Sequence, residues 1–423
     1  MALGRRAACL LVTNLFPPAL GGSSEVYAAL ASFARGEIAV LTASHDYETG
    51  LERAWPAFDH RAAYPITRVK CIRPFVRRLY PGSGRYRLHE ACTALKLIAA
   101  VLHLVVRHNV RTICIADDET VGWLTLVGKL LGLRTLIYCH GDDLHCSKDD
   151  VPRRSRWFNL ADKVVAANRY AQDLLAERYG VPRENTVLIQ NGVDLAAFYP
   201  TSPPDFLMRR HNLYGRRVLL SVTRLVSRKG VDKVLEALSE VAGQFPDVIY
   251  LIVGDGPQRA ELQSIAEQLG IMDLVTFVGP VHHHETRDYY NSAEVVLLCN
   301  REDHEESDGL PLVFLEANAC EKPVIGGRAG GTSEVIRDGK NGVIVDGQNS
   351  REIAAVICQL LSDEARRRKM GREGLRTAGN WEWSAQTELF IAVCKGRTNG
   401  DAKATDMNQD LPFARIERGA RDG

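Results

Sequence analysis

The chain has 423 residues, 45% of them hydrophobic and 25% charged, with a formal net charge of +1. That length supports two cores, and the balance is that of a globular enzyme; it excludes a disordered chain and a disulfide-stapled small scaffold, and gives no global charge for nucleic acid. The halves differ within that balance: residues 1–200 carry +6 and the remainder −5, so an anionic partner suits the first half.

The N-terminal run MALGRRAACLLVTNLF places basic residues before an apolar stretch. The stretch is short and leads into a Gly-Gly loop, so it predicts a first core strand rather than a leader. Short β-branched runs then alternate with helical patterns. Strands are expected at 8–13, 38–42, 68–72, 112–115, 135–139, 164–166 and 187–189, with helices at 24–33, 88–106 and 171–179 among those between them. A turn-rich linker, 191–205, holds NGVD and then Pro200, Pro203 and Pro204. The alternation restarts with strands at 217–222, 248–253, 274–278, 295–298, 323–325 and 343–345. This is an α/β pattern of two Rossmann-like domains, 1–200 and 201–380, whose parallel sheets offer a ligand the carboxyl ends of their strands across a cleft. Residues 381–395 predict an amphipathic helix, and 396–423 lack the periodicity of a folded segment. The longest apolar stretch, 94–106, is interrupted by Lys96 and His103 and falls short of a membrane span. Ten cysteines without a CxxC pair read as free thiols, and the expected location is cytoplasmic.

Chemistry gathers where strands end. In SVTRLVSRKGVDKVLEAL, 221–238, a strand gives way to a loop holding Arg224, Lys229 and Gly230 and then to a helix. Two cations beside a helix N-terminus can trap a diphosphate, though a solvated basic loop has the same composition. In YLIVGDGPQRAEL, Gly254 and Gly256 allow close backbone approach to a ligand or a tight turn; Arg259 stands where a dinucleotide fingerprint needs glycine. Residues 308–345 are the richest. Asp308 precedes a helix expected to start near Pro311, and Glu316 lies inside it, suited to vicinal hydroxyls; Gly326, Gly327, Gly330 and Gly331 make a second backbone cradle. In the first half, Gly21 and Gly22 join strand one to helix one, and His140 closes a strand. The tract His282-His283-His284 points three ways and lacks a second ligand cluster, so no metal site is expected there.

Taken together, seven pieces in order resemble the retaining glycosyltransferases of family four, with the GT-B fold, up to about residue 395: the GG loop, HG-D at His140, NGVD, TRLVSRKG, VGDGP, an E-x7-E region and PVIGG…GG-SE. The wording of TRLVSRKGVD and DGLPLVFLEA is similar to bacterial phosphatidylinositol mannoside mannosyltransferases and exopolysaccharide enzymes. The resemblance implies that Arg224 and Lys229 bind a nucleotide-sugar diphosphate. It implies that Glu316 holds the ribose, that Val278, Gly279 and Pro280 flank the base, and that Gly330, Gly331 and Glu334 lie near the phosphates. Gly21, Gly22 and Gly254 would line the donor, with Asp308 near the donor sugar and His140 a candidate catalytic residue. Asp308 departs from the family, which has Glu there. The implied reaction moves a mannose- or glucose-type hexose from a GDP- or UDP-sugar to a glycan or lipid-linked acceptor, with no metal, cofactor or nucleic acid. An epimerase of the same fold and a non-catalytic binding subunit are the alternatives. The basic, aromatic stretch at 68–87 suits peripheral contact with the inner face of a membrane.

Overall fold

The computed structural model describes residues 6–19, 22–45, 52, 55–72, 84–117, 120–147, 149–303 and 309–397. Gly21, Asp308, Glu305 and Glu306, the basic stretch at 73–83 and the tail from 398 lie outside the described residues.

Seven strands form a first parallel sheet: β1 (Cys9–Thr13), β2 (Ile38–Ala43), β3 (Ile66–Val69), β4 (Thr112–Ala116), β5 (Arg134–Cys139), β6 (Lys163–Ala166) and β7 (Thr186–Leu188), in the order β3-β2-β1-β4-β5-β6-β7. A second parallel sheet holds β8 (Arg217–Val222), β9 (Val248–Val253), β10 (Val275–Gly279), β11 (Val295–Leu298), β12 (Val324–Gly327) and β13 (Gly342–Val345), in the order β10-β9-β8-β11-β12-β13. Helices cover both faces, which is why central strands read as unbroken apolar runs: CLLVT of β1 and VIYLIV of β9 are buried at every position. Strand order reverses between β1 and β4 in one sheet and between β8 and β11 in the other. Loops leaving those strands turn to opposite faces and open a crevice at each switch point.

On one face of the first sheet, Leu97, Val101 and Leu104 of the Gly84–Arg107 helix and Leu124 of the Val121–Leu130 helix pack against Leu10 and Ile113. On the other, Val26 and Leu30 of the Gly22–Phe33 helix meet Phe390 and Ile391 of the Trp383–Cys394 helix over Leu11 and Tyr138. The last described helix thus belongs to the first core. The two passages of chain between the sheets run side by side, with Val193 N donating to Trp381 O at 2.7 Å. Gly192 makes this possible, because a Cβ there would stand 2.7 Å from the same oxygen.

One strand is shifted. The expected 68–72 strand is Ile66–Val69, since β3 is an edge that pairs only with β2 and stops where Ala43 ends its partner. This also corrects the reading of Arg68 as part of a membrane-facing basic stretch. Its guanidinium is buried against Asp59 at 2.8 Å, and it donates to Pro17 O at 2.5 Å.

Candidate active site

The loop from β8 carries Arg224, which is exposed, and Lys229, which is half-buried. Its conformation rests on glycines packed against neighbouring backbone. Gly254, at φ +125°, would bring a Cβ within 1.9 Å of Thr223 O, and Gly256 within 2.4 Å of Leu225 O. Gly254 N donates to Gly279 O at 2.8 Å, tying the loop from β9 to the end of β10, where Val278 and Pro280 flank Gly279. Gly254 thus makes the tight turn that supports the loop of Arg224. Gly230, at φ +69°, enters the Val231–Gln244 helix with no room for a side chain, since a Cβ would lie 2.0 Å from Cys299 O. Arg301 N donates to Arg228 O at 2.9 Å, and the Arg301 side chain pairs with Asp232 at 3.0 Å, binding the loops from β8 and β11 together.

Glu316 lies one turn inside the Leu312–Ala319 helix, as expected, but its carboxylate is not empty-handed. Tyr290 Oη donates to Oε2 at 2.7 Å, and His283 Nε2 lies 2.7 Å from Oε1. The other ring nitrogen of His283 lies 3.1 Å from Glu25 Oε2, on the first turn of the Gly22–Phe33 helix in the other domain. Two carboxylates on two ring nitrogens require both to carry protons. Burial opposes that charge, but Glu316 and Glu25 outweigh it and push the imidazole up to about 11. Burial and the same Glu316 carboxylate keep the Tyr290 phenol protonated as the donor. His282 and His284 stack on each other outside, rings 5.6 Å apart. Among the described residues no three His, Cys, Asp or Glu side chains are grouped to hold a metal ion.

Three loops meet at glycines. Gly331 N donates to Gly309 O at 2.7 Å, and a Cβ on Gly331 would approach that oxygen to 2.2 Å. A Cβ on Gly309 would in turn stand 2.3 Å from His140 O, and one on Gly141, at φ +122°, 3.3 Å from Gly309 Cα. The cleft therefore closes backbone-to-backbone at His140, with Gly309 next to the expected Asp308. The His140 ring lies between Tyr27 and Tyr138, centroids 5.1 and 5.0 Å away. Burial pushes the ring down to about 4, so it is neutral near pH 7, and its Nε2 has no hydrogen-bond partner among the described residues. A neutral imidazole can serve as hydrogen-bond donor or acceptor, and this nitrogen is buried without a partner among the described residues.

Glu334, expected near the phosphates, has its carboxylate engaged by the first domain. Its carboxylate accepts from the backbone N–H groups of Arg169 and Tyr170 at 3.0 and 3.1 Å, at the start of the Arg169–Tyr179 helix of the first domain. Burial raises its pKa against those bonds. It caps a helix across the cleft beside Asn168, which accepts from Ala171 N and donates to His140 O. Gly22 opens the first helix with no atom within 4 Å of a Cβ position, and Gly330 takes φ +53° beside Gly331. The structure thus brings His140, Gly331 and the neighbour of Asp308 together, and links them through the loop from β11 to that of Arg224 and Lys229. Sequence reasoning missed His283, Glu25 and Tyr290. The histidine tract was the available signal, but weighing it for metal alone hid the one ring that turns inward.

Two family models cover the chain in succession: Glycosyltransferase Family 4 at residues 22–197 and Glycosyl transferases group 1 at residues 205–377. The chain is 30% identical over 400 residues to the GDP-mannose-dependent alpha-(1-6)-phosphatidylinositol monomannoside mannosyltransferase of Mycolicibacterium smegmatis, spanning 92% of this chain and 98% of the relative. A D-inositol 3-phosphate glycosyltransferase of Geodermatophilus obscurus is 32% identical over 242 residues, 55% of this chain and 52% of the relative. Among solved structures, Anabaena HepE in complex with UDP-glucose superposes with a TM-score of 0.74 over 91% of this chain and 98% of its own, at 20% identity.

Proposed function

The chain belongs to the family-four glycosyltransferases, with the GT-B fold, and from that premise we propose a retaining hexosyl transfer that needs no metal ion. The donor is a GDP- or UDP-sugar, the hexose is of the mannose or glucose type, and the acceptor is a glycan, lipid or lipid-linked hydroxyl. GDP-mannose and a phosphatidylinositol mannoside in the name of the Mycolicibacterium relative support one version, and UDP-glucose bound to HepE supports the other.

The observation that carries the reading is the placement of Arg224 and Lys229 on the loop from β8, at the switch point of the second sheet and bonded through Arg301 to the loop that meets His140. In the proposed step, the bond between the anomeric carbon and the diphosphate oxygen breaks, and the electron pair leaves on the diphosphate. The acceptor oxygen bonds to the anomeric carbon on the same face, and its proton passes to the departing diphosphate. Arg224 and Lys229 stabilise the charge that grows on the leaving group. The neutral His140 ring holds a hydroxyl of the transferred sugar. Asp308 is assigned to the same sugar by family likeness, and Glu316 to the ribose.

Arg224→Ala and Lys229→Ala are each expected to lower transfer about 100-fold or more with unfolding curves unchanged. Near-normal turnover in either variant contradicts the assignment. Product analysis by NMR tests the stereochemistry: an α-linked product from an α-linked donor is expected. A rearranged nucleotide-sugar formed without acceptor would instead mark an epimerase, and donor binding without transfer or hydrolysis a non-catalytic subunit.

For a lipid-borne acceptor, peripheral membrane contact is part of the proposal. The Gly84–Arg107 helix exposes Leu95, Leu102 and Val106, at 67, 38 and 80%, with Lys96, His103 and Arg107 exposed among them and no acid from Ala91 onward. Such an apolar stripe flanked by cations suits an anionic bilayer. No helix among the described residues is long and apolar enough to cross one.

A further inference from the structure

We infer that His283 is a positioning residue that couples the two domains, holding Glu316 in its working orientation only while Glu25 is docked on the opposite side of the ring. The inference rests on the reading of the cleft as a nucleotide-sugar site, and it adds a control that the family assignment does not contain.

The geometry is explicit. Glu316 cannot choose its own rotamer freely: Tyr290 fixes Oε2 and His283 fixes Oε1, each at 2.7 Å. The Tyr290 partner comes from the same domain and is buried, so it persists however the domains move. The His283 partner is different. The ring is only half-buried, and its far nitrogen reaches the first domain at Glu25. Glu25 sits three residues after Gly22, on the first turn of the helix that follows the Gly-Gly loop. One imidazolium therefore sets the distance between that helix and the carboxylate assigned to the ribose.

Among the described residues, the titratable groups around the ring are Glu25 from the first domain, Glu316 from the Leu312–Ala319 helix and, next to it in the chain, His282, His284 and Glu285. Glu285 is occupied, accepting from His282 N at 2.9 Å. Phe198 covers the ring, centroids 5.2 Å apart. With both carboxylates in place the ring stays an imidazolium and donates both ways. Without Glu25 the second proton loses its support, the ring can become neutral, and Glu316 loses its charge-assisted partner. A contact between the two domains thereby sets how well the donor is held.

The test combines a nucleotide-free readout with a binding readout. In protein labelled with 15N-histidine, His283 is expected to remain an imidazolium through pH 9 in the wild type and to titrate at lower pH in Glu25→Gln. GDP or UDP affinity, measured by calorimetry on the same samples, is expected to fall about tenfold in Glu25→Gln and His283→Gln, and no further in the double variant. Donor KM should rise with it while kcat changes less. Titration of His283 near its ordinary value in the wild type overturns the inference, as does wild-type nucleotide affinity in Glu25→Gln. A wild type that shows the imidazolium but binds no nucleotide sinks the glycosyltransferase-site reading and leaves the domain coupling standing.

Discussion

At the scale of single residues, the two cleft histidines are held in opposite states by their surroundings. Burial between Tyr27 and Tyr138 keeps His140 neutral, at about 4, whereas paired carboxylates keep His283 charged, at about 11. The consequences for stability have opposite signs. His140 binds its proton less readily folded than unfolded, so its contribution is present above about 6.5 and is lost as pH falls toward 4. His283 binds its proton more readily folded, so its contribution is complete below about 6.5 and is lost as pH rises toward 11. Thermal melts are expected to show an acid-side decline that His140→Gln flattens; an unchanged acid limb in that variant contradicts the buried, neutral ring. The cations and the acid of the proposed donor site were visible in the sequence as candidates, because Arg224 and Lys229 follow a strand and Glu316 enters a helix after a Pro. The partners of Glu316 were not. Glu25 and His283 are far apart in the chain, and a ring's orientation is set by packing that no local pattern records.

At the scale of elements, the strands were legible because double-sided burial leaves a continuous apolar run, and the edge strand β3 was the one that slipped. The glycine loops were legible as loops, but not in purpose. Spacing cannot say whether a glycine yields to a ligand or to its own backbone, and Gly254, Gly309 and Gly331 all yield to backbone. Gly309→Ala is therefore expected to cost about 1–3 kcal/mol, since its Cβ would meet His140 O at 2.3 Å, and to weaken transfer further by prising the loop from His140. Gly243→Ala, with no atom within 4 Å of its Cβ position near the end of an exposed helix turn, serves as control and is expected to be neutral or stabilising by about 0.5–1 kcal/mol. Equal melting temperatures for wild type and Gly309→Ala would contradict the close approach.

At the scale of the whole molecule, the restart of the alternation after residue 205 announced two sheets, but not how they face each other. That arrangement is carried by a few polar bridges: Glu334 on the Arg169–Tyr179 helix, His283 on Glu25, and the glycine contact at His140. They lie around the cleft. On the outer face of the first domain, the Leu95, Leu102 and Val106 stripe predicts co-sedimentation with anionic but not neutral vesicles, falling with salt. The paired change Leu95→Glu and Val106→Glu is expected to weaken it about tenfold or more. Equal pelleting with neutral vesicles, or no loss in the paired variant, contradicts the assignment of that face.

Arg224 and Lys229 are proposed to build a diphosphate site on the loop from β8. Its most direct test is a calorimetric titration of the full chain with UDP, GDP and ADP, repeated with EDTA and with Arg224→Ala. One nucleotide is expected to bind tightly, with the same affinity in EDTA, and to lose that binding in the variant. If none binds, or if the variant binds as the wild type does, the loop from β8 is not the donor site.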